Sequence, residues 1–329
     1  MLVNLVSQIP AAIWQRELPT DLEHDYVHTG APVQADIHVV YGLRSQVEIP
    51  NRLSNAIFVA SEPPEIREYH LNTLRRYRRV LAPAFPYLSG LPNFVKVSAI
   101  APWWVGTHAG GREHYDEQAV DISLTRDQLA SPSNPARDLL SVIVSSKART
   151  PLQEQRLRFV DYLEKKMTHV DVWGEGRRFA ADKADVLGAS RYHLAIENSQ
   201  HPGYWTEKLS DPILMSNFVF YHGDPDVGAT FDTTAIEKID CRDMDGSYRR
   251  ISDIMAADAW TSSFEARENN RRALLERHSF HRVLDRVIGD ESFERVIPRR
   301  TVIPAQHPNS RWKRLVDPVY RFVGGILRD

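Results

Sequence analysis

Residues 192–209, YHLAIENSQHPGYWTEKL, gather two carboxylates (Glu197 and Glu207), Asn198, Lys208 and the aromatics Tyr204 and Trp205 behind a short apolar run. A carboxylate in such a place accepts hydrogen bonds from ribose hydroxyls, and an ammonium neutralises a diphosphate in the low-dielectric mouth of a cleft. That is the composition of a nucleotide-sugar site. The same charges also suit a solvated loop, and spacing alone leaves both readings open.

What positions these residues is a strand-helix rhythm. The runs VNLVS, DIHVVYG, NAIFVAS, RRVLAP and NFVKVSAIA alternate with amphipathic, charge-rich segments. TRDQLASPSNPARD, with two prolines among serine, asparagine and aspartate, is the candidate linker and puts a boundary near residue 132. Beyond it come LLSVIVSS, the helix PLQEQRLRFVDYLEKK, HVDVWG, ADKADVLGAS, YHLAIEN and NFVFYHG. Alternation of this kind predicts an α/β fold of two doubly wound, Rossmann-like domains, residues 1–131 and 132–290, facing a central cleft, with residues 291–329 as a tail. Ligands then bind at the carboxyl ends of the strands. YHLAIEN becomes a buried strand with Glu197 and Asn198 at its C-terminal edge, and Glu207 and Lys208 follow one loop later.

Composition narrows the partners. With 329 residues, 26% of them charged and a formal charge of -2, the chain offers no general attraction to nucleic acid, so any anion site is local. The lone Cys241 excludes an internal disulfide, suits a reducing compartment and reads as a buried small residue. MLVNLVSQIPAAIWQRELP lacks the pattern of a signal peptide and no apolar run approaches a membrane span, so a cytoplasmic location is expected.

YHLAIENSQHPGYWTEKLSDPILMSNFVFYHGDPDV resembles the donor-binding motif of the α1,3/1,4-fucosyltransferases, glycosyltransferase family 10. The likeness covers some 35 residues here and extends more weakly from about residue 138 to 285. It implies a GT-B architecture and an inverting transfer of L-fucose from GDP-fucose to a hydroxyl of a glycan, such as a bacterial lipopolysaccharide. No metal or other cofactor is implied. Such a displacement needs a base on one face of the donor sugar and cations around the departing diphosphate.

By position, the resemblance assigns the ribose to Glu207, the phosphates to Lys208, the donor sugar or order in the site to Glu197, and the pocket lining to Asn198 and Tyr204. Arg156 best matches the family's arginine at the start of a helix, where a guanidinium clamps a diphosphate; Lys147 and Arg149 compete for that role. NAIFVASEPPE is similar to the strand that ends in the base of bacterial members, which points to Glu62. The other reading makes Pro63 and Pro64 open a helix EIREYHLNTLRRY, with Glu62 or Glu65 serving only its dipole.

Departures from the family pattern carry expectations too. Ile196 replaces a phenylalanine. Trp205 stands where valine or isoleucine is usual and is expected to reshape the donor pocket. Pro212 predicts either a kinked helix or one that starts at Ser210 as N-cap. Trp103 and Trp104 either stack on an acceptor sugar or belong to the core. The D-x-D of HGDPDV reads as a turn, IDCRDMDG as a polar loop, and the histidines show no ligand spacing. The tail RWKRLVDPVYRFVGGILRD, residues 311–329, is either a basic amphipathic segment for an anionic membrane surface or a helix returning to the first domain.

Overall fold

The computed structural model describes residues 1–42, 46–98, 100–109, 120–131, 134–135, 137–148, 150–174, 176–293, 300–303 and 307–308. In the N-terminal part, α1 (Ala11–Glu17) separates β1 (Leu2–Val6) from β2 (Asp25–Thr29). There follow β3 (Ile37–Tyr41), β4 (Val47–Ile49), β5 (Ala56–Val59), β6 (Arg67–Glu68), α2 (Leu71–Leu74), β7 (Arg79–Ala82) and β8 (Phe94–Lys96). A six-stranded sheet runs in the order β2-β1-β3-β5-β7-β8, every pair parallel. Its central strands, IHVVY and AIFV, are buried throughout, as parallel strands covered on both faces must be.

β9 (Thr107–Ala109) and β10 (Val120–Ile122) pair antiparallel and lead into α3 (Arg126–Ala130). The second unit contains β11 (Arg137–Ile143), α4 (Pro151–Lys166), β12 (Val170–Trp173), α5 (Lys183–Leu187), β13 (Ser190–Ile196), α6 (Glu207–Leu214), β14 (Phe218–His222) and β15 (Ile236–Lys238). Its five-stranded sheet is parallel in the order β12-β11-β13-β14-β15. Helices α7 (Met244–Ala256), α8 (Ala259–Ser262) and α9 (Phe264–Glu276) complete it. Tyr192, Phe218 and Phe220 with Phe159 and Val160 of α4 form the core on one face of this sheet. Cys241 is buried in the same cluster, in keeping with its expected packing role.

The chain then returns to the first domain. On α10 (Phe280–Gly289), Phe280, Leu284 and Ile288 enter the N-terminal core with Val3, Leu5 and Trp14. β16 (Thr301–Ile303) pairs with β4, and β17 (His307–Pro308) with β6. Both readings of residues 311–329 lie outside the described residues. No described helix is long and apolar enough to cross a membrane.

Two expected segments differ. Part of the linker is α3, closed by a capping box between Thr125 and Gln128, and its Leu129 is buried in the second core because an apolar side chain at that spacing finds α9. EIREYHLNTLRRY is not a helix: Arg67 and Glu68 are a strand, and only Leu71–Leu74 is helical. Pairing with β17 claims the backbone that a helix would use.

Candidate active site

The carboxyl ends of the two parallel sheets face each other. From β13 the chain passes directly to Glu197, whose amide donates to the His222 carbonyl at the end of β14, 2.9 Å away. The Glu197 carboxylate accepts from the Thr206 amide and the Thr206 hydroxyl, each at 2.8 Å. Thr206 is also the N-cap of α6, its hydroxyl accepting from the Lys208 amide at 3.3 Å. One threonine thus ties the strand end to the helix start. Glu207 and Lys208 are therefore the first two helical residues. Pro212 sits inside α6, so the Ser210 N-cap is not the one used; Thr206, six residues before Pro212, supplies the cap instead.

These charges form one network. The Lys208 ammonium lies 2.9 Å from Glu207 Oε1 and 3.9 Å from Glu197 Oε2. Burial would raise the Glu207 carboxyl, but the ammonium of Lys208 and then that of Lys183 bring it down to about 2, so it is ionised. Burial dominates at Glu197 and pushes it up to about 7, Lys208 offsetting only part. Lys208 is held above the usual lysine value, burial being outweighed by Glu207 and Glu197. Lys183 in turn pairs with buried Asp211 at 2.7 Å.

Arg156 reaches the same place from α4. One guanidinium nitrogen donates to Asn198 Oδ1 at 3.0 Å, and another to the carbonyls of Ser145 (3.2 Å) and Lys147 (3.3 Å). Burial lowers its pKa and leaves Nε–H unpartnered. Much of its hydrogen bonding therefore fixes Asn198 and the loop after β11. Lys147 is exposed on that loop, and Arg149 lies outside the described residues.

Across the cleft, β5 ends at Val59 and the turn Ser61-Glu62-Pro63-Pro64 follows. No helix starts there; the amides of Ile66 and Arg67 close a turn on the Pro63 carbonyl at 2.9 and 3.0 Å. The helix-dipole reading of Glu62 is thereby removed. The Tyr69 hydroxyl accepts from the Glu62 amide at 3.0 Å and donates to the Glu62 carbonyl at 3.3 Å. Burial, then the charges of Glu62 and Glu207, raise the pKa of Tyr41. Tyr204 is raised by burial and then by Glu197, Glu62 and Glu207. The turn that carries Glu62 meets the loop after β13 through Glu65, whose carboxylate accepts from the Ser199 hydroxyl at 2.8 Å.

Several expected roles are corrected. Tyr204, expected to line the pocket, has its ring buried in the N-terminal core against Phe85, centroids 5.8 Å apart. Trp205 is 1% exposed and packs on Phe231, centroids 5.3 Å apart, so its ring belongs to the core. Trp103, also 1% exposed, belongs to the same core and cannot stack on an acceptor. Trp104 is half-buried and donates its amide to Asp211 at 2.9 Å. The turn reading of HGDPDV holds: Asp224 Oδ1 accepts from the amides of Gly203 (2.9 Å) and Asp226 (2.8 Å). Among the described residues, no three His, Cys, Asp or Glu side chains are grouped as metal ligands.

Thr206, Lys183 and Asp211 went unassigned in the sequence. A threonine directly before Glu-Lys and an apolar run is an N-cap signal that would have found the first. The Lys183–Asp211 pair spans two helices and leaves no local trace.

Residues 135–220 match the model described as the glycosyltransferase family 10 (fucosyltransferase) C-terminal domain. The second sheet carries a glycosyltransferase family 10 segment. This bears out the resemblance drawn from YHLAIEN and YWTEKL over that segment. The family 10 segment spans β11 to β14, including Arg156, Glu197, Asn198, Glu207 and Lys208. Among curated proteins none matches the chain. An α1,3-fucosyltransferase solved with GDP-fucose is similar over 90% of this chain and 92% of its own, at 14% identity and a TM-score of 0.50. An α-glucosyltransferase in complex with UDP is similar over 87% and 99%, at 7% identity and a TM-score of 0.51. At these identities the likeness is one of fold, and the fold is GT-B.

Proposed function

We propose that the chain is an inverting, metal-independent fucosyltransferase that moves L-fucose from GDP-fucose to a hydroxyl of a glycan, such as bacterial lipopolysaccharide. The observation that carries the reading is the ion-paired cluster of Glu207, Lys208 and Glu197 at the start of α6, against whose loop the turn bearing Glu62 is held by the contacts of Glu65 with Ser199 and His201.

In the proposed reaction, Glu62 takes the proton of the acceptor hydroxyl as that oxygen attacks the anomeric carbon. The bond from this carbon to the diphosphate breaks on the opposite face, and GDP leaves with the electron pair. Lys208 neutralises the departing charge, together with the N–H groups of Arg156 that Asn198 and the loop carbonyls leave unused. Ionised Glu207 accepts from ribose hydroxyls. Glu197, fastened by Thr206, holds the floor of the site beneath the donor sugar. The burial of Trp205 in the core supports reading the donor sugar as fucose.

The test is transfer from GDP-fucose to oligosaccharide acceptors, with the anomeric configuration of the product read by NMR. Glu62→Gln should lower kcat by about 10²–10⁴-fold while leaving GDP affinity unchanged. Equal activity in that variant, or a product that retains configuration, would sink the assignment.

A further inference from the structure

Three residues after Glu62, on the same turn, Glu65 reaches across to the donor loop. Its carboxylate accepts from the Ser199 hydroxyl at 2.8 Å and from His201 Nε2 at 3.0 Å. Ser199 and His201 lie in the loop between Asn198 and the Thr206 cap. Beside this contact the Ala84 amide donates to the Pro202 carbonyl at 3.0 Å, and Phe85 meets His201 edge-on and Tyr204 at a tilt. Gly203, at φ +80°, completes the loop, and a Cβ there would stand 2.9 Å from Ser98 Oγ of the first domain. Burial acts to raise the Glu65 carboxyl, but the hydrogen bond from His201 and that from Ser199 bring it below the ordinary range, so it is held as a carboxylate.

We propose that Glu65 is a positioning residue: it latches the turn that carries Glu62 to the loop that carries the donor site, setting the base in register with the bound sugar. The proposal rests on the functional reading above. Pro63 and Pro64 stiffen the link between the two glutamates, so a displacement at Glu65 is passed to Glu62. Tyr69 fixes the other side of the turn through the Glu62 amide and carbonyl. The pair is partly exposed, 28% at Glu65 and 14% at His201, so it contributes little to global stability. Its effect falls on geometry, where a misplacement of about 1 Å costs about 100-fold in rate.

The experiment compares Glu65→Ala and Glu65→Gln in the full chain by amide hydrogen exchange without nucleotide, and by kcat and donor KM in transfer from GDP-fucose. In Glu65→Ala, exchange at residues 199–206 should accelerate at least about fivefold and kcat fall about 10- to 100-fold, with donor KM and GDP affinity within about threefold of the original. Glu65→Gln still accepts from both partners and should restore kcat to within about threefold. Unaltered exchange in Glu65→Ala, or faster exchange with undiminished kcat, overturns the latch. Absence of transfer by the unaltered chain would contradict the functional reading instead, and the exchange result would still decide whether Glu65 holds the loop.

Discussion

Glu197 and Thr206 are joined twice, amide to carboxylate and hydroxyl to carboxylate, each at 2.8 Å. The same hydroxyl caps α6, so a single side chain sets both the strand end and the helix that carries Glu207 and Lys208. Thr206→Val removes the hydroxyl's bond to Glu197 and the cap while keeping the shape and the amide's bond. It should cost about 1–2 kcal/mol in stability and weaken GDP binding at least about tenfold, and Thr206→Ser should restore most of both. Chemical denaturation and calorimetry check the pair.

Arg156 satisfies three acceptors with one planar group. A lysine there offers a point charge without the fork, so Arg156→Lys should loosen Asn198 and the loop after β11 and lower GDP affinity about tenfold despite the conserved charge. Unchanged affinity would mean that the loop is held by other contacts.

The strand-helix alternation and the placement of Glu197 at a strand end and of Lys208 one loop later were legible, because buried parallel strands write themselves as continuous apolar runs. Tertiary facts were not. The helix of the alternative reading after Pro64 is absent, and β17, some 240 positions away, pairs with Arg67 and Glu68 instead. Trp103 and Trp205 look alike to a surface stacker and a core filler in sequence, and only packing against α6 and α9 decides. α10 reads as one more helix of the second domain, yet its apolar face belongs to Val3, Leu5 and Trp14. The Glu65–His201 contact joins two loops that carry no shared pattern.

Burial pushes the Glu17 carboxyl up to about 8, and the neighbouring Arg16 guanidinium offsets only part of this. The folded state then holds a proton that the unfolded chain releases near its ordinary value of 4.5. The contribution of this group to stability is thus full below about pH 4.5 and is lost as pH rises through about 8. Glu17→Gln should flatten the fall in melting temperature between about pH 4.5 and 8. Scanning calorimetry at several pH values would show it, and parallel slopes in both proteins would contradict it.

Trp205 fills the core between α6 and Phe231. Trp205→Ala should cost about 3–5 kcal/mol, whereas Trp205→Phe should leave the preference among nucleotide sugars unchanged. Competition between GDP-fucose and other GDP-sugars in the Phe variant measures this directly.

The central claim is that Glu207, Lys208 and Arg156 form a guanosine-diphosphate site. Calorimetric titration of the purified chain with GDP and with UDP, in EDTA, tests it most directly. The account predicts GDP binding in clear preference to UDP, weakened at least about tenfold in Lys208→Ala. Failure of either nucleotide to bind, or equal GDP affinity in Lys208→Ala, would contradict it.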